Sequence, residues 1–141
     1  MTQKVLCAVD LGQSDKSENV LTEASKLTDL HGAHLSVITV VPDFGMSIVG
    51  SFFDKGTLES ALQKANDDLH AFVKKTLPKA TDIQHVIALG TVYEEILKSA
   101  QTIGADLIVI GASKPDLVDK MMGPNAARVA RHSDASVYIV R

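Results

Sequence analysis

Two kinds of segment alternate along this chain, and the alternation constrains its fold more than any other feature. One kind is short, apolar and rich in branched side chains, at 4–10, 35–41, 83–89, 106–111 and 136–140. Leu107-Ile108-Val109-Ile110 is apolar on both faces, and Val37-Ile38-Thr39-Val40-Val41 departs from this only at its threonine. Strands buried on both faces read this way and belong to parallel sheets covered by helices. The other kind has helical spacing. Over 14–31 the apolar positions are Val20, Leu21, Ala24, Leu27 and Leu30. Over 57–77 they are Leu58, Ala61, Leu62, Ala65, Leu69, Phe72, Val73 and Leu77, and over 91–103 they are Val92, Tyr93, Ile96, Leu97, Ala100 and Ile103. Steps of three and four put each set on one helix face. A shorter helix at 123–132 turns the small residues Ala126, Ala127 and Ala130 inward. Thr91 with Glu94 reads as a capping box, Gly104 as a helix stop, and Pro78 as the end of the second helix. The order βαβαβαβαβ predicts an α/β fold: one open, doubly wound parallel sheet of five strands, with right-handed crossovers and helices on both faces. A single domain spans 1–141.

Composition narrows the function. At 141 residues, 45% apolar and 22% charged, the chain is a globular domain large enough for one core. No apolar run approaches the ~20 residues of a membrane helix. The opening Met-Thr-Gln-Lys-Val-Leu-Cys-Ala-Val-Asp lacks the cleavage site of a signal peptide, so a cytoplasmic location is expected. The single cysteine excludes a disulfide framework and a cysteine-cluster metal site; the five histidines show no paired ligand spacing, and no metal is expected. A net charge of −3 lacks the basic footprint of a nucleic-acid binder.

In such sheets ligands bind beyond the carboxyl ends of the strands. There the chain reads Asp10-Leu11-Gly12-Gln13-Ser14, Val40-Val41-Pro42-Asp43, Gly90-Thr91 and Gly111-Ala112-Ser113-Lys114-Pro115. Neither the Gly-x-x-x-x-Gly-Lys phosphate loop nor the Gly-x-Gly-x-x-Gly dinucleotide fingerprint occurs. The third strand ends Ala88-Leu89-Gly90, without the aspartate of a response-regulator receiver, and 4% aromatic residues with no Trp argue against a flavin sandwich. What remains is the loop from Gly111 to Gly123, followed at once by a helix. Glycine lets backbone amides approach a phosphate, and the first helical turn offers unsatisfied N–H groups at the positive end of the dipole. Asp10 joins this crevice if the fourth strand lies beside the first. Its carboxylate either meets a ligand or caps the amides near Gly12 and Ser14. Only Asp10 and Asp43 are positioned to serve as a general base, so no catalytic residues are assigned. Structural readings suffice elsewhere: Cys7 as a buried small hydrophobe, and Arg128, Arg131 and His132 as a solvated face or dimer rim. Phe44, Phe52 and Phe53 in the 42–56 insertion read as core cover or as a lid beside a nucleotide.

Three stretches then carry a resemblance: Val5-Leu6-Cys7-Ala8-Val9-Asp10, Gly104-Ala105-Asp106-Leu107-Ile108-Val109-Ile110-Gly111, and Met122-Gly123-Pro124-Asn125-Ala126-Ala127-Arg128-Val129-Ala130-Arg131-His132. With the ending Ser136-Val137-Tyr138-Ile139-Val140, the chain resembles the universal stress protein family over essentially its whole length. The resemblance implies strand order 3-2-1-4-5 and a homodimer whose last strands, carrying Val137, Tyr138, Ile139 and Val140, pair across a two-fold axis. An uncovered edge strand invites the same pairing on physical grounds. It also implies ATP as ligand, with or without Mg, or else AMP or ADP. Ala8, Val9 and Asp10 would surround adenine and ribose, and Val40 or Val41 would lie against adenine. Gly111, Ser113, Lys114, Gly123, Asn125, Ser136 and Val137 would surround the phosphates.

The family's ATP pattern is Gly-x2-Gly-x9-Gly followed by Ser or Thr. Here Gly111 matches the first glycine, Lys114 stands at the second, Gly123 comes one residue early, and Pro124 replaces the hydroxyl residue. This looks like the branch of the family with a shorter loop. Proline is tolerated at the first helical position, but the phosphate site then lacks one amide and one hydroxyl. Nucleotide binding weaker than in members with Ser or Thr is expected. The implied function is stress-associated regulation by a bound adenine nucleotide without efficient turnover. A nucleotide-free dimerisation and interaction module, and a slow ATP hydrolase, are the alternatives.

Overall fold

The computed structural model describes residues 2–42, 55–112 and 124–141. Within them the chain runs β1 (Lys4–Ala8), a 3-10 turn (Leu11–Gln13), α1 (Ser14–His31), β2 (His34–Pro42), α2 (Lys55–Thr76), β3 (Gln84–Gly90), α3 (Val92–Ile103), β4 (Leu107–Gly111), α4 (Pro124–His132) and β5 (Ser136–Val140). The strands form one sheet in the order β3-β2-β1-β4-β5, every pair parallel. Strand order reverses at β1: β2 and β3 lie on one side, β4 and β5 on the other.

Alternation along β1 builds a core on each face. Val5, Cys7 and Val9 meet Val20, Leu21 and Ala24 of α1 and Leu69, Phe72 and Val73 of α2. Leu6 and Ala8 meet Ile96 and Ala100 of α3 and Ala126 and Val129 of α4. The doubly wound arrangement read from the sequence is the one observed. At the amino end of the sheet, Asp106 accepts hydrogen bonds from the Gln3 and Lys4 amides at 2.8 and 3.0 Å. Those two amides hold its carboxyl below the ordinary carboxylate range. Gly104 ends α3 with φ 76°, its N–H donating to the Ala100 and Gln101 carbonyls, and a side chain there would be strained.

Three local expectations are corrected. Leu30 does not face the core but is 76% exposed. The inward position on that turn is Thr28, whose hydroxyl donates to the Ala24 carbonyl at 2.7 Å, and Leu30 lies about 200° further round the helix. In α4 the inward pair is Ala126 and Val129, while Ala130 is exposed. Thr91 does cap α3, but its side chain makes no capping hydrogen bond. Glu94 instead accepts from the Tyr93 hydroxyl at 3.2 Å, so the reciprocal box does not form. The Phe44, Phe52 and Phe53 cluster lies outside the described residues.

Two predictions arise from the core. Cys7 is fully buried at the centre of the sheet, and burial pushes its thiol far above the ordinary range. Because the thiolate is the nucleophile, Cys7 is expected to give no reaction with a disulfide reagent in the native protein and one equivalent in urea. The second concerns His70 of α2 and His85 of β3, whose rings stack with centroids 3.7 Å apart and 16° between planes. Burial first, and the charge of His70 second, hold His85 below its ordinary value of 6.5. A histidine whose folded value is depressed takes up its proton more readily in the unfolded chain. Stability is therefore full above pH 6.5 and falls as pH drops through the lower folded value. Urea midpoints across that window should decline, and His85→Phe, which keeps a flat ring without a proton to gain, should flatten the decline.

Candidate functional site

The site begins where β1 gives out. The Val9 amide still donates to the Ile38 carbonyl at 2.9 Å, and the Thr39 hydroxyl donates to the Val9 carbonyl at 3.2 Å. Asp10 then turns the chain. Its Oδ1 accepts from the Gly12 amide at 2.9 Å, which caps the 3-10 turn. Its backbone is clamped by Ser17: the Asp10 amide donates to Ser17 Oγ at 3.0 Å, and the Ser17 hydroxyl donates to the Asp10 carbonyl at 2.8 Å. That carbonyl also accepts from the Gln13 amide at 3.0 Å. Ser17 is 4% exposed, so a buried hydroxyl fixes an aspartate whose own side chain stands in the open.

Beside this turn lies a cavity of about 230 Å³. Its floor is made by the strand ends: Ala8, Val9 and Asp10 after β1, Ile38, Val40 and Pro42 on β2, and Ile110, Gly111 and Ala112 at β4. Its rim is made by helix starts: Gln13 of the 3-10 turn, Lys16, Ser17 and Val20 of α1, Val92 and Ile96 of α3, and Pro124, Asn125 and Ala126 of α4. Strand order reverses between β1 and β4, and the helices that follow these two strands, α1 and α4, pack on opposite faces of the sheet. The crevice at this reversal is the binding position of open α/β sheets. Its mouth is not plugged by the described side chains.

The chemistry follows from the lining. Apolar strand ends suit a flat, weakly polar ring. The helix starts direct unsatisfied amides and positive dipole ends at the mouth, which favours an anion. The first turn of α4 holds no acidic residue to compete, although Pro124 has no N–H to give. Gly111 has a packing reason to be glycine as well: a Cβ there would lie 3.1 Å from Val20 Cγ2. Among the described residues no group of three or more His, Cys, Asp or Glu is arranged to hold a metal ion. Among those residues, too, no helix is long and apolar enough to cross a membrane.

Of the residues singled out from sequence, Ala8, Val9, Asp10, Val40, Gly111 and Asn125 come together in the cleft. Val41 does not line it, because alternation along β2 turns its side chain to the face opposite Val40. Ser136 and Val137 need correction as phosphate neighbours. β5 runs parallel to β4 with Ser136 opposite Leu107 and Val140 opposite Gly111. Ser136 therefore sits at the amino end of the sheet, four residues or about 13 Å from the level of Gly111. Ser113, Lys114 and Gly123 lie outside the described residues. Sequence reasoning missed Gln13, Lys16, Ser17 and Val20, although steps of three and four along one face of α1 carry the signal.

Compared with known proteins, the whole chain, residues 1–141, matches the model of the Universal stress protein family. It is similar to Universal stress protein G of Shigella flexneri, 27% identical over 143 residues with 100% of each chain covered. Among solved structures it is similar to universal stress protein UspA from Lactobacillus plantarum, at 24% identity, 99% and 98% coverage of this chain and that one, and TM-score 0.78. A universal stress protein in complex with cAMP aligns at 24% identity, 99% and 97% coverage and TM-score 0.64. The universal stress protein from Archaeoglobus fulgidus in complex with dAMP aligns at 20% identity, 99% and 98% coverage and TM-score 0.71. At these identities the structural likeness speaks for the fold alone.

Proposed function

The chain belongs to the universal stress protein family, and from that premise we propose that it is a stress-associated regulatory protein that binds an adenine nucleotide at the carboxyl ends of β1 and β4. One observation carries this reading: apolar strand ends and the starts of α1, α3 and α4 line a single cavity at the reversal of strand order. The cAMP and dAMP complexes of similar proteins support the same ligand class. In this reading Ala8, Val9 and Val40 contact adenine, Asp10 contacts ribose, and Gly111, Asn125 and the α4 start face phosphate. Ser113, Lys114 and Gly123 belong to the same proposal through the family resemblance. The ligand is ATP with or without Mg, or AMP or ADP. Turnover is inefficient in this reading, because Asp10 already accepts the Gly12 amide and, among the described residues, no partner side chain sets it up as a base. The proposed setting is the cytoplasm.

The proposal extends to a homodimer through β5. That strand is a sheet edge, and Tyr138 is 40% exposed beside half-buried Val137, Ile139 and Val140. Light scattering at micromolar concentration should give twice the 15.1 kDa chain mass. A nucleotide-free interaction module is the second reading, favoured by Pro124 at the α4 start and by the capping role of Asp10. Native mass spectrometry of the protein as purified, with calorimetry against AMP, cAMP and ATP with Mg, separates the two. Heat or a co-purified adenine nucleotide, with no multiple-turnover phosphate release, is expected. No heat at millimolar nucleotide and no retained ligand would leave the interaction module standing instead.

A further inference from the structure

Resting on the adenine-nucleotide reading above, we propose that Lys16 is a phosphate-binding residue of the cleft. Among the described lining residues Lys16 is the one cation and Asp10 the one anion. The location of Lys16 follows from Val20. A Cβ on Gly111 would stand 3.1 Å from Val20 Cγ2, so α1 touches the last residue of β4 at that point. Lys16 precedes Val20 by four residues and shares its helix face. α1 starts at the carboxyl end of β1 and runs back along the sheet, so Lys16 stands one turn, about 5 Å, beyond Gly111. That is the space between the end of β4 and the start of α4, whose first turn also lines the cavity.

Asp15, the acidic residue in the first turn of α1, is not among the cavity-lining residues. Across the cavity, α4 opens with a proline that has no N–H and with no acidic residue in its first turn. A phosphate held between Lys16 and the α4 start makes up for that lack, because an ammonium supplies as a point charge what the missing amide and hydroxyl do not. Lys16 thus separates phosphorylated from unphosphorylated ligands, while the apolar floor recognises the base.

The test is calorimetry with adenosine and with AMP on wild type, Lys16→Ala and Lys16→Arg, with thermal melts on each. Lys16 is exposed, and the melts establish that each variant is folded under the conditions of the titration. The expected result is AMP binding weakened by about ten- to one-hundredfold in Lys16→Ala, adenosine binding unchanged, and most of the AMP affinity restored in Lys16→Arg. The salt dependence of AMP binding should also shrink in Lys16→Ala. Unchanged AMP affinity in Lys16→Ala would overturn the assignment, and so would an equal loss for both ligands, which marks a structural role. If wild type binds neither ligand, it is the adenine-nucleotide reading itself that fails.

Discussion

Replacing Leu6 by alanine is expected to destabilise the protein by about 2–5 kcal/mol, while the same replacement at Leu30 changes stability by roughly 0.5 kcal/mol or less. Leu6 is fully buried on the central strand, opposite Ser36 of β2 and Ile108 of β4. Its side chain packs in the cluster formed by Ile38, Ile96, Ile108, Ala126 and Val129. Both neighbouring strands are held in register by backbone hydrogen bonds, so the space left by truncation closes only partly, and the cavity adds to the lost transfer energy. A domain of this size has a total stability of about 5–15 kcal/mol, so the loss takes a large fraction of it. The unfolding midpoint should fall by on the order of 10 °C. Leu30, 76% exposed near the end of α1, leaves no cavity behind. Urea titrations of the two variants check the contrast directly, and a loss below about 1 kcal/mol at Leu6 would contradict a packed double-faced core.

The same two leucines show how much of the fold was legible in the sequence. Leu6 sits in a run that is apolar at every second position and in the positions between, and only a strand covered on both faces has use for that pattern. Leu30 sits in a helical pattern whose stripe is wide enough to admit it. What decides between inside and outside at the end of α1 is where the sheet stops, and that is a tertiary fact. Ala130 failed for a related reason, since smallness suits a close approach without requiring one, and Val129 takes the inward position instead.

The site was legible in the same uneven way. Ala8, Val9, Asp10 and Gly111 follow from a rule of topology, because strand ends at a reversal of order form a crevice whatever their side chains are. The contribution of α1 was not read, because Gln13, Lys16 and Ser17 look like any polar helix start until the helix is docked on β4. Ser136 and Val137 were assigned by resemblance alone, and the parallel register of β5 puts them at the other end of the sheet.

Ser17 offers the second large effect, and it joins the fold to the cleft. Its hydroxyl donates to the Asp10 carbonyl and accepts from the Asp10 amide, at 2.8 and 3.0 Å. Ser17→Ala removes both at once. The carbonyl keeps the Gln13 amide as donor, but the Asp10 N–H is left without its partner where β1 meets α1. An orphaned, partly buried donor is expected to cost about 1–3 kcal/mol. Ser14→Ala, one turn earlier and exposed, is the control, expected within about 0.5 kcal/mol of wild type. The functional consequence follows from the same geometry. Asp10 is positioned by Ser17 and Gln13 through its backbone and by Gly12 through its carboxylate. With the first gone, the carboxylate wanders with the turn, and adenosine and AMP should both bind more weakly in Ser17→Ala. That pattern differs from the phosphate-selective loss expected at Lys16. Denaturant midpoints and paired calorimetry on the two variants separate the roles: Ser17 shapes the turn that carries Asp10, and Lys16 reads the charge of what the cleft holds. If Ser17→Ala is as stable as wild type and binds both ligands unchanged, the clamp is not what sets Asp10 at the rim.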